Sequence, residues 1–251
     1  MSKIIVNGCS HTHGWGLPKD GRPWPRLLFP SCINLANSGD SNIAIARRTL
    51  EYIVCNKDVS HVFVMWTDNS RTEFSTDDGR LIHVLANSSF GSRFPLQDLT
   101  SPLNSFVRDY YKYFFSPLYH LKLFLLNLHH LKVFCESQGI RFCCAASMPI
   151  DYLDKAETFD KQYKKLLKKY NSMHLGGIHE QSNLTNADSF VSLIEQTKSC
   201  WIDQSYLQGH VMALDRQHWT SLQDQHANQQ GHHIIADQLR KLLPKGWPVI
   251  K

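Results

Sequence analysis

The sequence has no unbroken apolar run long enough to cross a membrane, no Cys-x-x-Cys pair, no internal repeat, no low-complexity tract and no linker rich in proline or serine. Each absence removes a class of protein. The most apolar stretch, 118–134, is interrupted by His120, Lys122, Asn127, His129, His130 and Lys132, which makes it a buried amphipathic helix and not a membrane span. The seven cysteines, at 9, 32, 55, 135, 143, 144 and 200, are odd in number and fall mostly in apolar segments, where a thiol acts as a small hydrophobe. A reducing compartment is expected. After Met-Ser-Lys comes an apolar run of only residues 4–6, too short for the core of a signal peptide, so the expected location is cytoplasmic. One-sided charge is scarce too: 27 Lys and Arg exceed 22 Asp and Glu by 5. Much of that excess lies in Lys161, Lys164, Lys165, Lys168 and Lys169, the pattern of one solvated helix face; neither a nucleic-acid nor a membrane partner is expected.

What remains is a chain of 251 residues, 42% hydrophobic and 11% aromatic, with enough apolar side chain to bury a sizeable core. Four short β-prone runs, 4–6, 32–36, 61–66 and 140–145, each end in small or polar residues. Helical patterns cover 43–54, 118–137, 154–170 and 228–243. Strand followed by helix, repeated, predicts a three-layer, doubly wound α/β/α fold with a central parallel sheet. Residues 67–115 and 171–223 break the pattern and are expected to be loop embellishments on a single domain spanning 1–251. In such sheets ligands bind beyond the carboxyl ends of the strands.

The chemistry-bearing residues fall at those ends. Gly8-Cys9-Ser10 follows the first strand, so Ser10 stands on a tight turn where a nucleophile is exposed. Far along the chain, Asp224-Gln225-His226 precedes the last helix. A serine hydroxyl is a weak nucleophile and needs a neighbouring base, whose tautomer a carboxylate can set. Ser10, His226 and Asp224 supply those three groups.

In the order and placement of these blocks the chain resembles the SGNH hydrolases, a branch of the GDSL-type esterases and lipases, over nearly its whole length. The resemblance implies a flavodoxin-like version of the α/β/α fold, a catalytic triad of Ser10, His226 and Asp224, and no cofactor. Gly39, within Asn37-Ser38-Gly39-Asp40-Ser41-Asn42, matches the family's second block, which implies an oxyanion hole formed partly by the amides of Ser10 and Gly39. The third block departs from the family's Gly-x-Asn-Asp: Trp66-Thr67-Asp68-Asn69-Ser70-Arg71 stands there, leaving Thr67 or Asn69 as the side-chain donor. The single residue between Asp224 and His226, and the Trp66-Thr67 pair followed by Arg71, are similar to phage-like and environmental members; a phage-encoded chain would be virion-associated. His11, Trp66, Asp68 and Arg71 are the expected substrate contacts.

Simpler roles compete with these. Serine caps helices and turns, Arg71 and Glu73 have the spacing for an ion pair, and Trp15, Trp24 and Trp66 serve equally as sugar platforms or as packing. His11 and His13, with His226, His232 or His233, would be the ligands if a metal were used, but fourteen histidines make chance clusters common, and no metal is expected. The function expected is cleavage of a carboxylic ester, with an O-acetyl group on a carbohydrate as the candidate and a small-molecule or glycan ester as the substrate. The alternative is a protein of the same fold that binds a glycan or protein without turnover.

Overall fold

The computed structural model describes residues 2–29, 31–75, 77, 81–84, 102–150, 190–203, 209–211, 213–221 and 224–250. The helix expected over 154–170, with its lysine cluster, lies outside them, as do parts of both embellishments.

Strand β1 (Lys3–Gly8) leads into a single helical turn, α1 (Ser10–His13). Then come α2 (Trp24–Leu28), β2 (Cys32–Asn34), α3 (Asn42–Cys55) and β3 (Val59–Trp66). A hairpin of β4 (Thr72–Ser75) and β5 (Leu81–Val84), helix α4 (Pro102–Asp109) and a π turn (Tyr110–Phe114) follow. The chain continues with α5 (Pro117–Ser137), β6 (Arg141–Ala146), α6 (Phe190–Thr197) and α7 (Gln229–Leu242). The sheet is wholly parallel in the order β2-β1-β3-β6, as expected, and a parallel bridge from Cys144 to Trp201 adds a further rung. The hairpin and α4 are elements that the irregular composition of 67–115 did not reveal.

Side-chain parity along the strands builds the layers, because successive residues point to opposite faces. Ile5, Val62, Val64, Trp66, Cys144 and Ala146 face one way, into a core completed by Ile45 and Ile53 of α3, Leu121, Phe124 and Leu128 of α5, and Leu193 of α6. Ile4, Val6, Phe63, Met65, Cys143 and Ala145 face the other way, against Trp24 and Leu28 of α2 and Ile235 and Leu239 of α7. Helices thus cover both faces. The long helices begin where a side chain takes an otherwise orphaned amide: Ser41 accepts from Ala44, Ser116 from Tyr119, and Asn228 from Gly231.

Trp66 belongs to this core. It is fully buried, with its ring edge-on to Phe124 at 5.4 Å, and so is not the substrate contact the sequence suggested. A central strand covered on both faces buries every position near its carboxyl end, so neither parity nor residue type marks one that looks outward.

Candidate active site

The site starts at Gly8. A Cβ there would lie 2.2 Å from Thr12 Oγ1 and 2.9 Å from the Met65 carbonyl oxygen, so only glycine lets α1 fold this close to β3. Asn7, fully buried, locks the turn. Its Oδ1 accepts from the Gly8 amide at 2.8 Å, and its Nδ2 donates to the Ile45 carbonyl and Thr49 Oγ1, both at 2.9 Å. Asn34 Nδ2 donates to the Thr12 carbonyl at 3.0 Å and ties α1 to the end of β2. Ser10 stands as the first residue of α1, where an amide has no partner within the helix.

Two hundred residues later the chain returns. His226 Nε2 lies 2.8 Å from Ser10 Oγ, and His226 Nδ1 is hydrogen-bonded to Asp224 Oδ1. The single intervening residue suffices because the His226 amide also donates to Asp224 Oδ1, at 3.2 Å, closing a tight loop. That loop is braced from behind: Thr220 donates through its amide to the His226 carbonyl and through Oγ1 to the Asp224 carbonyl, both at 2.8 Å, and Ser221 Oγ accepts from the Asp224 amide at 2.8 Å. Partial burial pushes the Asp224 carboxyl up, but hydrogen bonds and charge from His226 outweigh it and hold the group below the usual carboxylate range. An ionised Asp224 accepts a hydrogen bond from Nδ1–H and so leaves the Nε2 lone pair facing the Ser10 hydroxyl.

The His11 ring lies tilted against His226, 4.7 Å between centroids. Burial, then the neighbouring charges of His226, Arg71 and His232, push its pKa well below the ordinary histidine value. His11 is therefore neutral and adds no repulsion when His226 takes up a proton.

Gly39 sits at φ 85° in the turn after β2, a conformation that suits glycine. The turn is anchored by buried Asp40, which pairs with Arg48, while Arg48 Nη1 also donates to the Leu35 carbonyl at 3.1 Å. Asn42 reaches across to the third block. Its Oδ1 accepts from the Thr67 amide and its Nδ2 donates to the Thr67 carbonyl, both at 2.9 Å, and Nδ2 also donates to Asn69 Oδ1 at 2.7 Å. Because the two bonds to Thr67 fix which end of the Asn42 amide faces Asn69, Asn69 must present oxygen to it and direct its own NH2 elsewhere. That Nδ2 is shielded from solvent and has no partner among the described residues. The Thr67 hydroxyl donates to Met148 Sδ at 3.9 Å, and Asp68 Oδ1 accepts from the Ser70 amide at 2.6 Å.

Arg71 does not pair with Glu73. Glu73 meets Arg47 of α3 at 3.1 Å, a partner that local spacing could not reveal. Trp24, like Trp66, is fully buried packing, and only Trp15 is exposed. His232 is buried, its Nδ1 accepting from the Trp24 amide at 3.2 Å, and no group of three or more His, Cys, Asp or Glu among the described residues is placed to share an ion. Sequence reasoning passed over Asn7 and Asn42. The first looks like a polar interruption of a strand and the second like an ordinary first residue of a helix, and nothing local distinguishes either.

No protein-family model matches the chain, and no curated protein matches it significantly. Among solved structures it is similar to a candidate acylhydrolase from Bacteroides fragilis, with 12% identity, coverage of 96% of this chain and 85% of the other, and a TM-score of 0.43. LAE5, an alpha/beta hydrolase enzyme from the metagenome of Lake Arreo in Spain, is 13% identical over 96% of this chain and 94% of its own, with a TM-score of 0.42. A member of the lipolytic G-D-S-L family from Veillonella parvula is 16% identical over 98% and 100%, with a TM-score of 0.37. At such identities and scores, the chemistry of this site rests on its own geometry.

Proposed function

We propose that the chain is a serine-dependent carboxylic-ester hydrolase. The observation that carries this reading is the 2.8 Å contact between His226 Nε2 and Ser10 Oγ, with Asp224 bound to the other ring nitrogen. Ser10 Oγ attacks the ester carbonyl as His226 takes its proton, and Asp224 stabilises the resulting imidazolium. The imidazolium then protonates the departing alkoxide, leaving an acyl-Ser10. Water, deprotonated by the same ring, releases the acid and restores the serine. The amides of Ser10 and Gly39 receive the oxyanion, and the side-chain donor is the Nδ2 of Asn69, shielded from solvent and without a partner among the described residues.

An O-acetylated carbohydrate is the substrate class we assign to this reading. Its support is Trp15, 53% exposed between two glycines, the second of which, Gly16, lies against the triad loop: a Cβ on Gly16 would be 3.8 Å from His226 Cβ. An exposed indole face is a surface on which sugar rings stack.

The test uses 4-nitrophenyl acetate, an acetylated oligosaccharide scored by acetate release, and a fluorophosphonate probe. Wild-type protein is expected to cleave the ester and to be labelled at Ser10, and Ser10→Ala to lose labelling and roughly 10⁴-fold or more in rate. Folded wild-type protein that neither turns over any ester nor takes the probe would overturn the reading and leave a binding protein.

A further inference from the structure

Among the described residues, Arg71 is an arginine that meets no acid. Arg47 meets Glu73 and Glu51, Arg48 meets Asp40, and Arg240 meets Asp237, as half-buried guanidinium groups ordinarily do. The Arg71 guanidinium is half-buried too, yet among the described residues its only hydrogen bond runs from Nη2 to Met148 Sδ at 3.8 Å, and a thioether is a weak acceptor. Its Nε is sealed from solvent with no acceptor among the described residues. Two carboxylates close to it in sequence are turned to other partners: Glu73 to Arg47, and Asp68 Oδ1 to the Ser70 amide.

This cation stands at the reacting groups. The Arg71 amide closes the turn on the Asp68 carbonyl at 3.3 Å, directly beyond Asn69. Met148, its sulfur contact, also takes the Thr67 hydroxyl, and the preceding Ser147 touches Cys9, the neighbour of Ser10, at 3.8 Å between Oγ and Sγ. Its charge is felt by His11, whose ring lies against His226. Tyr111, the other polar group beside it, has its hydroxyl turned away to the Ser70 and Val84 carbonyls at 2.7 and 3.2 Å.

A buried guanidinium N–H with no partner is the complement of an acceptor that arrives with the ligand. We infer that Arg71 recognises a carboxylate on the substrate, so that the esters this site prefers carry one free acid group besides the ester bond. One guanidinium with a fixed donor fork, and with Asp68 close by, balances a single planar monoanion better than a phosphate dianion. This rests on the hydrolase reading for its catalytic consequence, but the recognition itself does not depend on turnover.

The test compares pairs of esters that differ in the acid group. On the acyl side, 4-nitrophenyl hemisuccinate is set against 4-nitrophenyl butyrate; on the alcohol side, 4-acetoxybenzoate against its methyl ester. The readout is the ratio of kcat/KM within each pair for wild type, Arg71→Met and Arg71→Lys. In at least one pair, wild type is expected to favour the anion by roughly tenfold to a hundredfold, the range for a charge-assisted bond. Arg71→Met abolishes that preference, and Arg71→Lys, which keeps the charge but not the fork, restores part of it. A ratio unchanged by Arg71→Met in both pairs overturns the inference while the hydrolase reading stands. Should no ester be cleaved, the hydrolase reading fails and the inference is judged by calorimetric binding of succinate and 4-hydroxybenzoate to wild type and Arg71→Met. Binding of either anion that Arg71→Met weakens at least tenfold supports it, and equal binding or none overturns it. If Arg71→Met does not fold, Arg71→Lys decides: its ratio must lie below that of wild type.

Discussion

The nucleophile side of the site hangs on side chains that reach across the sheet, whereas the base side is a turn folded back on itself. Asn7 spans to residues 45 and 49, and Asn42 spans to 67 and 69, each filling buried hydrogen-bonding positions on another element. Around Asp224 and His226, by contrast, the bracing bonds come from Thr220 and Ser221, a few residues away. The turn as a whole is then moored through α7, where Gln229 exchanges two bonds with the Arg22 backbone and His232 takes the Trp24 amide. Ser10 is thus placed by the fold itself, so that its supports are also supports of stability. The base is placed by local turn chemistry and can be altered at small cost to the core.

The largest expected effect attacks the base side. His226→Ala should lower ester turnover by roughly a thousandfold or more, while unfolding stability changes by no more than about 1 kcal/mol; urea titration beside a rate assay measures both. A collapse of stability in that variant would break the contrast. On the other side, Asn42→Ala strands the amide and carbonyl of Thr67 and frees Asn69, and should cost about 2 to 4 kcal/mol of stability as well as activity. Denaturant midpoints decide it, and a stable but inactive Asn42→Ala would mean that this bridge places the site without supporting the fold.

The smallest effect sharpens the comparison through pH. Burial first, then the charges of His226 and His233, hold His232 down to about 4, and its Nδ1 must stay unprotonated to accept the Trp24 amide. In the unfolded chain the same ring takes a proton near 6.5. Between those values only the unfolded state gains the proton, so stability falls as pH drops from about 6.5 towards 4. His232→Gln, which keeps an acceptor, should flatten that slope, read as the pH dependence of the thermal midpoint. An unchanged slope would show that acid does not loosen the α7 mooring through this ring.

Much of this was legible in the residues. The four sheet strands and the helices now bounded as Asn42–Cys55, Pro117–Ser137 and Gln229–Leu242 follow from apolar periodicity, with no end displaced by more than about two residues. The pairing of β4 with β5 was not, because two four-residue strands of mixed polarity carry too little alternation to stand out from loop. At the site, Ser10, Asp224 and His226 could be singled out because their chemistry is rare in combination. Asn42 could not, since its role depends on β3 arriving beside the start of α3. Trp66 misled for a related reason: an aromatic next to a functional block looks available until the strand is known to be covered on both sides. Of the two roles open to Arg71, the ion pair with Glu73 rested on proximity in sequence, and the long reach of Arg47 removes it.

Gly16 is the point where the two sides of the site touch. A Cβ on it would come within 2.9 Å of Thr220 Cγ2 and 3.6 Å of Asp224 Oδ2, so the loop leaving α1 rests directly on the turn that carries the acid and the imidazole. The two distant stretches of polypeptide are thereby clamped to each other without an intermediary. Loops exchanged between β5 and α6 should change which molecule is admitted while leaving the proton's path between oxygen and nitrogen the same length, which makes the middle of the chain the natural ground for redesigning selectivity.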